Sequence, residues 1–432
     1  MPRQPRRLRH SDAPGSRLEL APTRVVPGGD GLAHGPDGKV VLVEGALPGE
    51  RVQADIVEVH KSWSRAVTAD VLDAAPGRRE PPCPFVAKGC GGCSWQHVEP
   101  AVQRQLKRQI VADALRRQGG LRDITDDDPR ILDGPDLAVR DFRTTVRAAV
   151  IDGRAGFRRH ASHEVLPVDA CQVAHPMLDD LFRDGWYEGC SEVTMRVGER
   201  TGERLVVADP SGADLWVPDD VTVIGADELA AGKRAWHHEE AAGRHWRISA
   251  TSFFQTRPDG ADALVAAATT AVRRWAPTAR RMADLCAGVG LFAGGIATAT
   301  SRRDWQIIAV EKNRAALADA KHNLADLSPT VVRCSIDAWR PAPVDVVVAD
   351  PARAGLGARA VGAIEASGAG LVVLVSCDPA SLGRDAGLLT KAGYRFVRTS
   401  LIDLFPQTWH LETVSVFVRD GRDAQEPEAE EP

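Results

Sequence analysis

The chain has 432 residues, a formal net charge of −5, 44% hydrophobic and 26% charged residues. That length predicts two or three domains, and the composition is that of a soluble globular protein. No apolar stretch reaches the roughly 18 residues that a membrane span needs, and the basic start MPRQPRRLRH has no apolar segment behind it, so it does not read as a secretory signal.

A cytoplasmic location is therefore expected, with no membrane partner. Eight cysteines in that compartment read as metal ligands or catalysts rather than disulfides. The charge is unevenly spread. Asp420 to Pro432 carries six acids against Arg422 and accounts for the whole −5. The remainder is formally neutral, with arginines gathered in the N-terminal arm and between Arg104 and Arg159. Such patches suit phosphate groups, although ordinary solvated arginine explains them equally well.

Residues 1–15 are expected as a disordered basic arm. Residues 16–75 carry short strands, including Lys39–Val43 and Arg51–Val59, between turns such as Gly28-Gly29-Asp30-Gly31 and Pro36-Asp37-Gly38. Four or five short strands predict a small closed β-barrel, because closure removes exposed edges. Residues 76–250 form a central domain. Within and just before it lie a linker at Ala74–Arg78, a cysteine-rich loop, an amphipathic helix from Glu99 to Arg117 and an acidic loop at Asp126–Pro129. A strand-rich antiparallel region follows from Phe142 to Ile248, with hairpin turns at Asp152-Gly153 and Pro210-Ser211-Gly212. Residues 420–432 are expected as a disordered acidic tail.

Residues 251–419 change rhythm. After a helix at Gly260–Trp275, strands are predicted at Met282–Leu285, Gln306–Val310, Thr330–Arg333, Asp345–Ala349, Gly370–Ser376, Arg395–Leu401 and Thr413–Val418, with helices between most of them. The alternation predicts a mostly parallel, Rossmann-like α/β sheet that binds ligands at the carboxyl ends of its strands. Asp284-Leu285-Cys286-Ala287-Gly288-Val289-Gly290 follows the first strand. Its glycines, Gly288 and Gly290, let backbone approach a ligand beside a helix N-terminus. Glu311 ends the second strand, where a carboxylate reaches both ribose hydroxyls of a nucleoside, and Asp350 ends the fourth. These strand ends resemble those of class I S-adenosylmethionine (SAM) methyltransferases. A nicotinamide-dependent dehydrogenase uses the same logic and is the competing reading.

The apolar run Leu371–Val375 leads into Ser376-Cys377-Asp378-Pro379. This places a thiol at a strand tip beside a methyl-donor site. C5 of uracil is a poor nucleophile. A thiolate that attacks C6 makes C5 enolate-like and able to accept a methyl group, after which a base must remove the C5 proton. Cys377 is the candidate nucleophile and Glu412, just before the last strand, the candidate base. An ordinary thiol is mostly protonated at neutral pH, so the site of Cys377 is expected to favour the anion. The bland alternatives are a small core hydrophobe at 377 and a solvated glutamate at 412.

From Leu18 to Arg419 the chain resembles the SAM-dependent RNA 5-methyluridine methyltransferases. The motif from Ser376 to Asp385 is similar to the family's nucleophile signature, S-C-N-P-x-T-L-x-R-D. Phe405–Glu412 is similar to the signature that ends in the proton-abstracting glutamate. Asp350–Gly355 resembles D-P-P-R-x-G, and Phe253-Phe254-Gln255 resembles the F-F-Q whose glutamine contacts SAM. Ala46–Val52 resembles part of a TRAM domain, an RNA-binding module. The chain departs from the family at Cys286 (usually aromatic), Ala287 (cysteine), Leu291 (asparagine in some members), Ala352 (proline) and Asp378 (asparagine).

The resemblance implies catalysis by Cys377 and Glu412. It implies SAM contacts from Gln255, Asp284, Cys286, Gly288, Gly290, Glu311 and Asp350. It implies an RNA partner, ribosomal RNA ahead of transfer RNA, and a monomer. Cys83, Cys90 and Cys93 are spaced C-x6-C-x2-C. In the family these positions, with Cys171, hold a [4Fe–4S] cluster, and zinc is the rival for four thiolates. Cys190, Cys286 and Cys334 read as core residues. His97, His163 and His410 read as packing or hydrogen-bonding groups, and Trp63 and Trp95 as the first candidates for stacking on bases. The other readings are a 5-methylcytidine methyltransferase, which would want a cysteine within Asp350–Gly355, and a non-catalytic RNA-binding factor.

Overall fold

The computed structural model describes residues 13–211, 214–302 and 304–421. The first twelve residues of the basic arm, Gly212 of one expected hairpin turn and the acidic tail beyond Gly421 lie outside them. The chain divides into two units: residues 1–87, 93–110 and 406–409 in one, and residues 88–92, 111–405 and 410–432 in the other.

The first unit contains β1 (Arg17–Leu20), β2 (Arg24–Val25), β3 (Gly31–His34), β4 (Val40–Glu44), β5 (Arg51–Val59) and β6 (Trp63–Asp73). They form one sheet in the order β1-β5-β6-β4-β3-β2. Alternate residues Val41 and Val43, then Val52, Ala54 and Ile56, point into its core, as a two-residue period requires. Six strands are present where four or five were expected, and β5 and β6 are long. Their pairing shifts register at three points. Bulges of this kind increase twist and let long strands curl around a small core. The segment expected as a linker is held in place. Arg78 donates to the buried Glu50 carboxylate through Nε (2.5 Å) and a terminal nitrogen (2.7 Å), and Glu50 also accepts the N–H of Leu47 and of Ala75.

The second unit begins its strands with β7 (Ile131–Asp133), β8 (Thr145–Ile151), β9 (Arg154–Arg158), β10 (Val165–Pro167), β11 (Trp186–Glu188) and β12 (Glu192–Val197). It continues with β13 (Arg204–Asp209), β14 (Asp214–Trp216), β15 (Val221–Gly225), β16 (Trp236–Ala241) and β17 (Arg244–Ser249). The order β10-β9-β8-β12-β13-β15 makes the central sheet. It is antiparallel except that β13 and β15 run parallel, which corrects the expectation of a wholly antiparallel region. Asp152 and Gly153 both take positive φ, 48° and 71°, the conformation a two-residue hairpin turn demands.

The C-terminal sheet contains β18 (Arg281–Leu285), β19 (Gln306–Val310), β20 (Thr330–Val332), β21 (Val346–Ala349), β22 (Leu371–Ser376), β23 (Tyr394–Ile402) and β24 (Glu412–Arg419). All seven strands expected there are present. An eighth, β7, was not anticipated; the order is β20-β19-β18-β21-β22-β24-β23-β7. β18 to β22 are parallel neighbours, and β24 runs antiparallel between β22 and β23. β21 and β22 are buried along their whole length, as strands covered on both faces must be. The chain progresses outward in opposite directions from β18 and from β21, and such a switch point opens a crevice at the carboxyl ends. Cys286, Glu311, Asp350 and Cys377 each follow directly on one of those ends.

Two placements differ from expectation. Glu412 is the first residue of β24, not a residue before it. Cys190, Cys286 and Cys334 are partly exposed instead of core, because each lies just past a strand end, where the chain leaves the packed layer.

Candidate active site

The turn after β18 is built on left-handed backbone. Cys286, Gly288 and Gly290 have φ of 63°, 55° and 95°. A Cβ at Gly288 would meet no atom within 4 Å, so its surface is open to a ligand. The turn also fixes Glu311. Gly288 N–H (3.0 Å) and Asn313 N–H (2.7 Å) both donate to the Glu311 carboxylate. Asp284 is completely buried and accepts the N–H of Ala293 at 3.0 Å. It thereby caps the helix Leu291–Ala299, while its second oxygen has no hydrogen-bond partner among the described residues.

Gln255 is buried and donates through Nε2 to Asp350 at 3.3 Å. The segment before it is anchored by Asp319, a residue the sequence reading missed. The fully buried Asp319 carboxylate accepts from Arg247 Nε (2.9 Å), Ser249 N–H (2.8 Å), Ser249 Oγ (2.9 Å) and Ser252 Oγ (2.7 Å). A signal was present. Asp319 shares the buried face of its helix with Ala316, Ala320 and Asn323, and a carboxylate at a buried helical position needs partners.

Cys377 sits between β22 and the helix Pro379–Lys391. Asp378 caps that helix, accepting the Ser381 N–H at 2.8 Å, and Pro379 opens it. Asp and Asn cap equally well, which accounts for the departure at this position. In the antiparallel pairing of β22 with β24, Ser376 faces Thr413, and Thr413 Oγ1 donates to the Ser376 carbonyl at 3.2 Å. The paired register ends there; Cys377 and Glu412 are the next residues along the two chains, and the charge of Glu412 acts on the Cys377 thiol.

The site is dense in carboxylates. Burial, then the charges of Asp350 and Glu311, pushes Asp284 up to about 7. Burial likewise raises Asp350, although that residue keeps some exposed surface. Glu412 is almost fully buried, and one of its oxygens has no hydrogen-bond partner among the described residues. Burial and the neighbouring Asp350 hold it well above the usual carboxylate range. Burial, then the charges of Glu412 and Asp350, pushes the Cys377 thiol up to about 12, with Arg353 opposing. Cys286 is pushed up to about 12 by burial and by the charges of Glu311, Asp350 and Asp284. The expectation that the site of Cys377 favours the thiolate therefore fails for the protein alone. A pocket lined by carboxylates but poor in cations is suited to a cationic ligand. The sulfonium and ammonium of SAM fit that donor set, and the open glycine turn fits its nucleoside.

The cluster that the resemblance implies at Cys83, Cys90, Cys93 and Cys171 is not shown by the structure. Among the described residues no three His, Cys, Asp or Glu side chains are grouped as a metal requires. Trp95 is buried, with Nε1 donating to the Gly29 carbonyl at 3.2 Å, so it is not a platform for bases. Trp63 is partly exposed and stacks on His60 at 4.1 Å between ring centres. His97 is largely buried and pushed down to about 4 by that burial, then by Arg78, consistent with a neutral packing role.

Residues 15–69 match the TRAM domain family. An uncharacterized RNA methyltransferase of Streptomyces avermitilis is 35% identical over 93% of this chain and 97% of that protein. The 23S rRNA (uracil(1939)-C(5))-methyltransferase RlmD of Chromohalobacter salexigens is 31% identical over 95% of this chain and 91% of its own. Among solved structures, the Pyrococcus abyssi tRNA (uracil-54, C5)-methyltransferase in complex with S-adenosyl-L-homocysteine has the same fold. The TM-score is 0.70 with 21% identity, covering 92% of this chain and 99% of that one. Identity at this level along nearly the full chain, on a class I methyltransferase sheet, settles the family. The chain belongs to the SAM-dependent RNA 5-methyluridine methyltransferases.

Proposed function

We propose that the protein methylates C5 of a uridine in RNA through a transient bond between Cys377 and C6 of the base. The observation that supports this reading is the pairing of Ser376 with Thr413, whose chain neighbours are Cys377 and Glu412, together with the charges of Glu412 and Asp350 that act on the Cys377 thiol. When bound, SAM supplies an electrophilic methyl carbon. Gln255, Asp350, Glu311 and the turn 286–290 are the residues that would hold it.

The Cys377 thiolate would add to C6 as the electron pair of the C5=C6 bond moves to C5, and C5 would bond to the donor's methyl carbon as the methyl–sulfonium bond breaks and its pair leaves with the sulfur as a thioether. The Glu412 carboxylate then takes the C5 proton. The released pair restores C5=C6 and expels the Cys377 thiolate. Glu412 must be ionised for this step. Positive charge brought into the carboxylate cluster lowers Glu412 and Cys377 together, so both groups become competent only in the loaded site. A paired base hides C5 and C6, so the uridine must leave its stack.

Cys377→Ala should abolish turnover while SAM still binds. Glu412→Gln should trap a covalent RNA adduct, and rapid release of methylated product by that variant would refute Glu412 as the base. Ribosomal RNA is the favoured substrate, because the RlmD relative carries that activity in its name. Mapping 5-methyluridine in total RNA with and without the gene decides between ribosomal and transfer RNA. A cytoplasmic, monomeric enzyme accords with this role. The iron–sulfur reading of Cys83, Cys90, Cys93 and Cys171 rests on cysteine spacing and family resemblance, and no step passes through it. Bound iron with visible absorption after anaerobic purification would support it; a colourless protein with stoichiometric zinc would reverse it.

A further inference from the structure

Along β8 and its lead-in, Thr144 and Val146 are buried, while Arg143, Thr145 and Arg147 keep exposed surface. Arg196 on β12 pairs with Thr145 and so lies on that same open face of the central sheet. One of its terminal nitrogens donates to the carbonyls of Ser252 at 2.8 Å and Ser249 at 3.4 Å. Its Nε is buried and has no hydrogen-bond partner among the described residues. Burial alone pushes the guanidinium down to about 10, with no carboxylate acting against it. Glu192, the acid further along β12, is taken by Arg147. A guanidinium withdrawn from water in this way lacks the counter-charge that buried ions require.

This face is tied to the segment beside the cofactor cluster. Arg196 holds the Ser249 and Ser252 carbonyls, and Thr144 N–H donates to the Thr256 carbonyl at 2.8 Å. Between these anchors lies Gln255, which is bonded to Asp350. Phe253 follows directly on Ser252 and is 63% exposed. An aromatic ring left in water close to an unbalanced guanidinium is a combination that suits single-stranded RNA.

We infer that Arg196, together with Arg143, receives a backbone phosphate of the RNA that flanks the target uridine. A phosphodiester spreads one negative charge over two oxygens, which forked guanidinium donors match. Arg143 donates through Nε to the Thr145 carbonyl at 3.1 Å, so its terminal nitrogens stay available. The phosphate supplies the counter-charge that Arg196 lacks. Because the same guanidinium holds the Ser249 and Ser252 carbonyls, the bound strand is set in register with the segment that carries Gln255.

The inference rests on RNA being the substrate, and binding is measured apart from turnover so that the two fail separately. The probe is an unmodified 23S ribosomal RNA transcript, bound by the full chain at a series of salt concentrations. Arg196→Met keeps the length of the side chain without its charge. Arg143→Gln leaves Ser249 and Ser252 untouched, so it tests the idea should Arg196→Met fail to fold. Arg196→Met should bind the transcript more weakly and lower the slope of log affinity against log salt by about 0.7, the effect of one single-strand phosphate contact. Arg196→Lys retains the charge and should keep the wild-type slope. Arg143→Gln should lower the slope as Arg196→Met does and bind S-adenosylhomocysteine as the wild type does. An unchanged slope in Arg196→Met, or in Arg143→Gln where Arg196→Met does not fold, would overturn the inference. Lost S-adenosylhomocysteine affinity in Arg196→Met with an unchanged slope would overturn it too, and would assign Arg196 to the cofactor's carboxylate. A lowered slope in a protein that forms no 5-methyluridine would sink the proposed function and leave the phosphate site standing.

Discussion

The Asp385 carboxylate accepts the backbone N–H of Leu356 at 2.6 Å and that of Gly357 at 3.1 Å. Asp385 rides on the helix that follows Cys377, and Leu356 ends the loop that follows Asp350. One buried acid thus ties the nucleophile's helix to a loop of the cofactor cluster. Asp385→Ala leaves two backbone donors unmet, at about 1–3 kcal/mol each. A loss of roughly 2–6 kcal/mol in denaturant unfolding is expected, together with reduced turnover. Asp385→Asn retains one acceptor and should lose less. An unchanged unfolding midpoint in Asp385→Ala would show that the loop holds itself.

Asp319 acts on the opposite flank. Removing its carboxylate frees Ser249, Ser252 and Arg247 at once, and with them the segment that carries Gln255. Asp319→Ala should weaken S-adenosylhomocysteine binding about tenfold by calorimetry, since small displacements of positioning groups are costly. A lower melting temperature with unchanged affinity would confine Asp319 to stability.

Alkylation of Cys377 reports its ionisation, because the thiolate is the reactive form. In the protein without ligand the thiol is pushed up to about 12. The rate, taken as the difference from Cys377→Ala, should therefore still be climbing at about pH 9. Glu412→Gln removes a negative charge that disfavours the thiolate, so it should speed alkylation at alkaline pH, where Glu412 is ionised. A plateau near neutrality in the wild type would contradict this account.

Asp284 makes stability depend on pH. Its folded-state value, about 7, lies above the ordinary 3.8. Below the ordinary value both folded and unfolded states are protonated, and the contribution is fully present. As pH rises from 3.8 to about 7 the unfolded chain ionises first, and stability falls by about 1.4 kcal/mol per pH unit until the folded-state value is passed. Asp284→Asn keeps an acceptor for Ala293 and cannot ionise. Its melting temperature should fall less than that of the wild type between about pH 5 and about pH 8, and an equal fall would assign the effect to another group.

Strand ends were the most legible part of the sequence. Fully apolar runs such as Val346–Ala349 and Leu371–Ser376 have little alternative to buried parallel strands, so Asp350 and Cys377 could be placed at their tips. β7 was not legible, because three residues carry no period and its existence depends on parallel pairing with β23. The electrostatics at Cys377 were misread for a related reason. The motif names the thiol, but its ionisation is set by Glu412 and Asp350, which lie far from it in sequence. The departures at Ala352 and Leu291 have no consequence that the structure explains.

β7 also decides what can be cut from this protein. It pairs with β23 along Thr399–Leu401, and flanking bonds run from Thr399 N–H to the Arg130 carbonyl and from Gly134 N–H to the Leu401 carbonyl. A fragment beginning at residue 251 would keep the seven strands of the methyltransferase sheet yet strip this cover away. The bared row of amides and carbonyls on β23 would then be a template for other chains, so such a fragment should self-associate more than the full chain does.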